Sequence, residues 1–96
     1  MSRDAIIKLL AEHQQDLTRL GVKSLALFGS VAREESRADS DIDLLVEFDG
    51  KATFDGYINL KFYLEDLLKR RVDLVTRRAL KPRLRSRIEE EALYVA

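Results

Sequence analysis

The chain has no cysteine, no tryptophan, one proline and one histidine. Without cysteine there is neither a disulfide framework nor a thiolate metal site. The lone histidine, His13, falls beside an apolar helical stripe and suits a structural or surface role better than catalysis. No apolar run approaches the length of a membrane span. The N-terminus, Met1-Ser2-Arg3-Asp4, is charged and lacks the apolar core of a signal segment. A cytoplasmic location is expected. Internal repeats, linkers and low-complexity segments are also missing. What remains is 96 residues, 46% of them apolar, enough for one domain, 1–96, with a single small core. The net charge of zero conceals an uneven distribution. Seven acidic residues and one basic one lie between Glu34 and Asp49, and nine basic residues and one acidic one between Lys69 and Arg87. That asymmetry suggests a cation site in the first part and an anionic ligand or acidic partner near the second. A solvated helix face would account for most of the basic residues equally well.

Periodicity predicts a helix from Asp4 to Leu20, stopped by Gly21, then a strand over Val22–Phe28. A short helix over Val31–Glu35 and a polar loop, 36–40, precede a second strand, Ile42–Phe48. Asp49-Gly50 marks a turn. The longest helix is expected over Phe54–Arg70, with Tyr57, Leu60, Leu64, Leu67 and Leu68 on one stripe. A third strand follows over Arg71–Thr76. Pro82 suits the first turn of a last helix, anchored by Leu80, Leu84 and Ile88. Leu93-Tyr94-Val95 is an apolar tail, either a last helical turn or an extra strand. The order α-β-α-β-α-β-α predicts an α/β fold, a helix-flanked sheet of at least three strands.

The stretch from Phe28 to Phe48 carries the chemistry. Gly29-Ser30 ends the first strand, and Asp41-Ile42-Asp43 opens the second. Strand side chains alternate faces, so Asp41 and Asp43 point the same way and Ile42 and Leu44 the other. Two adjacent carboxylates repel unless a cation lies between them, and their hard oxygens suit Mg²⁺. A Gly-Ser turn leading into a helix N-terminus suits phosphate. A metal clamp facing a phosphate cradle is equipment for phosphoryl or nucleotidyl transfer. Arg33 falls just after the cradle, near phosphate or near acidic neighbours in a salt bridge. Asp39 and Ser40 suit turn and cap roles, and Glu47 suits surface pairing. Asp73, a lone acid within the third strand, is either an edge-strand acid paired with an arginine such as Arg71 or part of the site.

This stretch closely resembles the signature of the minimal nucleotidyltransferases of the DNA polymerase β superfamily: Gly-Ser, ten residues, then Asp-x-Asp, here Gly29-Ser30, Val31 to Ser40, and Asp41-Ile42-Asp43. Ala32-Arg33 and Ser40 also look like that family, and the resemblance extends over nearly the whole chain. It implies a mixed sheet like the polymerase β palm. It implies catalytic and metal-binding roles for Asp41, Asp43 and Asp73, with Asp73 as third acid and proton acceptor. Gly29, Ser30 and Arg33 would bind nucleotide, with two Mg²⁺ ions as cofactors and ATP as substrate. The chain is similar to the antitoxin half of HEPN/MNT toxin–antitoxin pairs. That likeness implies transfer of AMP from ATP to a tyrosine of a partner HEPN ribonuclease toxin. Two alternatives stand beside it: an antitoxin acting by contact alone, and a nucleotidyltransferase acting on an RNA end or a small molecule. So short a chain has little surface left to enclose an acceptor, so a macromolecular acceptor or a second subunit is expected. No base-reading element is evident, so direct nucleic-acid binding is not expected.

Overall fold

The first amphipathic stretch makes two helices instead of one. The computed structural model describes residues 2–35 and 40–95. Ser2 caps α1 (Arg3–Glu12), its hydroxyl accepting from the Ala5 N–H, which satisfies a free helix-end donor. The ring Nδ1 of His13 lies 2.8 Å from the Leu9 carbonyl, the acceptor an unbroken helix would give to the His13 N–H. That N–H turns to Leu10 O. A side chain inserted into the backbone ladder breaks the helix, and α2 (Gln14–Arg19) starts afresh. His13 is thus structural, as expected.

The remaining elements are β1 (Val22–Phe28), the single turn α3 (Gly29–Ala32), β2 (Ile42–Phe48), α4 (Phe54–Leu68), β3 (Val72–Thr76), a 3₁₀ turn (Arg77–Ala79), α5 (Pro82–Glu91) and β4 (Leu93–Tyr94). The polar loop and Asp39 fall on residues 36–39, outside those described. The sheet order is β3-β2-β1-β4. β1 runs antiparallel to β2 and β4, and β2 runs parallel to β3. The parallel pair needs a long crossover, and α4 supplies it. The apolar tail resolves as a strand, with Leu93 and Tyr94 opposite Leu27 and Ala26. The α/β fold with a mixed, helix-flanked sheet is as expected.

One sheet face carries Leu25, Leu27, Ile42, Leu44, Val46, Val72 and Leu74, buried against Ile6, Leu10, Leu17, Leu60, Leu64 and Leu68 of α1, α2 and α4. The opposite face carries a smaller cluster of Ala26, Phe28, Leu45 and Leu80, packed by Val75, Ile88 and Ala92. Leu84, expected as an anchor of α5, is 41% exposed. Leu80 and Ile88, the other two expected anchors, do pack in that cluster. α4 ends at Leu68, two residues before the expected Arg70, because Lys69 adopts a left-handed conformation (φ 56°).

Two tyrosines of α4 are tied down by hydrogen bonds. The Tyr63 hydroxyl donates to Asp16 Oδ2 at 2.9 Å, and the Tyr57 hydroxyl donates to Leu74 O at 2.5 Å. Tyr57→Phe should therefore lower stability by about 1 kcal/mol, the usual value of one hydrogen bond, and leave nucleotidyl transfer unchanged. Urea melts beside an activity assay check this; lost activity with unchanged stability would instead make Tyr57 a base-stacking residue.

Candidate active site

Strand register gathers the predicted site residues. Phe28 pairs with Asp43 across β1 and β2, so the chain leaves β1 at Gly29 directly beside the Asp43 carboxylate. Gly29 has φ +73°, and a Cβ there would lie 2.0 Å from Asp43 Oδ2 and 3.1 Å from Asp43 Cβ. Only glycine combines that backbone with that approach. The following turn is shorter than the expected helix over Val31–Glu35. It ends after Ala32, and Glu34 turns to φ 59°. Arg3 of α1 braces it, donating through Nη1 to Ala32 O at 3.2 Å and lying 3.4 Å from Glu34 Oε1 through Nη2. Ser30 is half-buried in this turn, and its carbonyl accepts the Glu35 N–H at 2.8 Å.

The third acid arrives by the parallel register. Asp43 pairs with Asp73, while Ile42 and Leu44 pair with the buried Val72 and Leu74 on the opposite face. Asp41 stands exposed just before β2. The starts of β2 and β3 are laced together. Ile42 N–H donates to Arg71 O at 2.9 Å, and the Arg70 guanidinium donates to Ser40 O. Glu65 of α4 accepts the Val72 N–H at 2.9 Å. β3 is an edge strand, as the plain reading of Asp73 supposed, yet the register sets Asp73 directly beside Asp43.

Burial first, then the charge of the adjacent Asp73 and the charge of Asp41, push the Asp43 carboxyl up to about 6; Arg33 opposes the shift weakly. Among the described residues, no three acidic or histidine side chains are drawn tightly enough together to form a ready-made metal cage. The hard oxygens of Asp41, Asp43 and Asp73 are nevertheless the donors a divalent cation would take.

Arg33 lies at the mouth of the site with its guanidinium engaged. Nε is 3.1 Å from Glu35 Oε2, and Nη1 is 3.1 Å from Glu91 Oε2. These bonds raise its pKa further. Glu91, at the end of α5, was not foreseen, because nothing in the helical pattern of 82–91 marks a partner 58 positions away. Glu47 lies at the far end of β2, 3.9 Å from Arg77, as a surface pair.

A mixed sheet of this order, with acids at the starts of its two parallel strands and a glycine turn against them, has the architecture of a nucleotidyltransferase palm. Residues 6–95 match the family model of the nucleotidyltransferase domain. The chain belongs to that family, and it is a nucleotidyltransferase. It is 43% identical over 94 residues to a candidate protein adenylyltransferase of Methanocaldococcus jannaschii, covering 94% of each chain. It is 38% identical over 96 residues to the protein adenylyltransferase MntA of Thermococcus cleftensis, covering 99% of this chain and 97% of that one. Its fold matches a structure described as a candidate minimal nucleotidyltransferase with TM-score 0.85 and 41% identity, over 97% and 95% of the two chains. At 22% identity and TM-score 0.65, the fold also matches a chain from the complex of a Shewanella oneidensis MNT antitoxin with its tri-AMPylated HEPN toxin, over 94% and 71% of the two chains. Among the described residues, no helix is long and apolar enough to cross a membrane.

Proposed function

We propose that the chain is a Mg²⁺-dependent protein adenylyltransferase antitoxin that transfers AMP from ATP to a tyrosine of a HEPN ribonuclease toxin. The observation that carries this reading is the register of Asp43 against Asp73, with Asp41 beside them and Gly29 pressed on the Asp43 carboxylate. Burial does most to raise the Asp43 pKa, and the charges of Asp73 and Asp41 add to it; a divalent cation would relieve that repulsion. The residues fit the ion on that ground. Asp41, Asp43 and Asp73 would hold it. When bound, Mg²⁺ supplies charge neutralisation on the triphosphate and a lowered pKa at the attacking hydroxyl.

The chain's own residues supply the rest. Gly29 leaves room for the Asp43 carboxylate against its backbone, and Ser30 offers N–H and Oγ donors to the phosphate oxygens. Asp73, exposed on the edge strand, accepts the proton of the incoming tyrosine hydroxyl. The hydroxyl oxygen bonds to the α-phosphorus, the bond to the bridging oxygen breaks, and pyrophosphate leaves. Arg33, just after the Gly29 turn, would serve the phosphates once its acid partners release it. With Asp73 at the open edge of the sheet, the acceptor comes from outside the chain, in keeping with a protein substrate.

Asp73→Asn preserves size and shape, so it should bind the toxin normally while transfer falls by at least about a hundredfold, the lower range for losing a general base. Co-expression with the partner, followed by separation, intact mass and ribonuclease assay, tests this. A partner that carries no AMP even with the wild-type protein, yet is silenced equally by both, would leave only silencing by contact.

A further inference from the structure

The sheet face that carries the acids has a concavity at its other end. Beyond the cluster of Ala26, Phe28, Leu45 and Leu80, the ends of β2 and β3, the 3₁₀ turn and α5 enclose a cavity of about 310 Å³. Its walls include Ala52, the Glu47 carboxylate and three guanidinium groups, Arg77, Arg78 and Arg85. Arg77 is neutralised. Its Nη2 lies 2.7 Å from Glu89 Oε1, and its Nη1 lies 3.9 Å from Glu47 Oε1. Among the described residues, no acid pairs with Arg78 or Arg85. The Nε of Arg85 is shut off from solvent with no hydrogen-bond partner. That N–H belongs to a residue that lines the cavity.

We propose that this cavity is a binding site for a small organic phosphate, separate from the nucleotidyl-transfer site. The two unneutralised guanidiniums match the charge of a phosphate monoester, about −1.5 to −2 at pH 7, better than that of a single carboxylate. Their planar forks suit its oxygens. The volume lies at the small end of ligand sites and leaves space for the organic part. The basic run from Lys69 to Arg87, which the acid cluster leaves unexplained, thereby acquires a specific use. α5 carries Arg85 at this end and Glu91, the partner of Arg33, at the other, so an occupant would bear on the helix that reaches the transfer site.

The test is a ¹⁵N NMR titration with glycerol 3-phosphate in EDTA, which keeps metal-dependent nucleotide binding out of the readout. Chloride at matched ionic strength and citrate serve as separate arms. Saturable shifts of the Gly50, Ala52 and Thr76 amides are expected with the phosphate, and weaker ones with citrate. Arg78→Gln, at an exposed position, and Arg85→Gln should each weaken binding by about tenfold, the value of one charge-assisted hydrogen-bonding partner. Arg85→Lys should recover part of the loss. Shifts matched by chloride, shifts stronger with citrate, no saturation, or unchanged affinity in both glutamine variants would each overturn the proposal.

Discussion

Asp43→Asn should abolish nucleotidyl transfer and, in the metal-free protein, raise the melting temperature. Loss of transfer follows from removing the central carboxylate of the trio, which lies between Phe28 on one side and Asp73 on the other. A metal clamp contributes several kcal/mol to charge stabilisation, so a fall of at least about a thousandfold is expected. The gain in stability has a separate origin. Asp43 titrates near 6 in the folded chain against the ordinary 3.8. Between those values the native state holds a proton that the unfolded chain releases, so stability falls as pH rises. The stability present below about pH 4 is lost by the time pH has passed about 6. Because Asp43 is only half-buried, solvent screening reduces the penalty to about 1 kcal/mol. An asparagine has no such proton to lose, so its melting curve should be flatter over this range. Thermal melts of both proteins from pH 4 to 8 in EDTA, with labelled-AMP incorporation at pH 7.5, read both effects. A variant that transfers normally would remove Asp43 from the chemistry.

Gly29→Val should damage the same carboxylate from the other side. The branched Cβ would need to sit where Asp43 Oδ2 now lies, 2.0 Å away, at a φ that β-branched residues avoid. The left-handed backbone alone costs about 1–2 kcal/mol. Pushing the carboxylate aside should reduce transfer by at least about a hundredfold, the cost of misplacing a reacting group by an ångström. Gly29→Ala carries the same contact with less bulk and separates displacement from misfolding. Ser30→Ala, which adds nothing to the space, should be the mildest of the three. Circular dichroism melts and the AMP-incorporation assay read the series. Wild-type transfer by Gly29→Val would reduce the loop to an ordinary turn.

These residues were legible in the sequence to different depths. Asp41 and Asp43 were visible because a period of two decides which side chains share a strand face, a local property. Gly29 was visible as a turn residue, but its contact with Asp43 depends on the antiparallel pairing of β1 with β2. The placement of Asp73 beside Asp43 depends on the parallel register, which no local pattern encodes. The family likeness supplied its role, while its alternation with Val72 and Leu74 supplied only its face. The break at His13 was hidden because its ring bond to Leu9 O competes with a ladder that the apolar spacing alone would continue. Leu84 had the right spacing for an anchor and the wrong location, since burial depends on where the sheet ends. Glu91 had no signal at all, as ion pairs between distant elements follow from packing.

The parallel pairing of β2 with β3 has a consequence for how the enzyme comes to exist. Asp43 and Asp73 meet only after the whole α4 crossover has closed, so the contact is non-local and its loop entropy must be met before the acids gain anything from adjacency. A partly assembled chain would hold Asp41 and Asp43 but lack their companion, and would bind a cation weakly. Under the proposed function, nucleotide bound with its cation would therefore favour the fully assembled chain, stabilising it by mass action. In a cell, the nucleotide would then act as a quality check on assembly as well as a substrate.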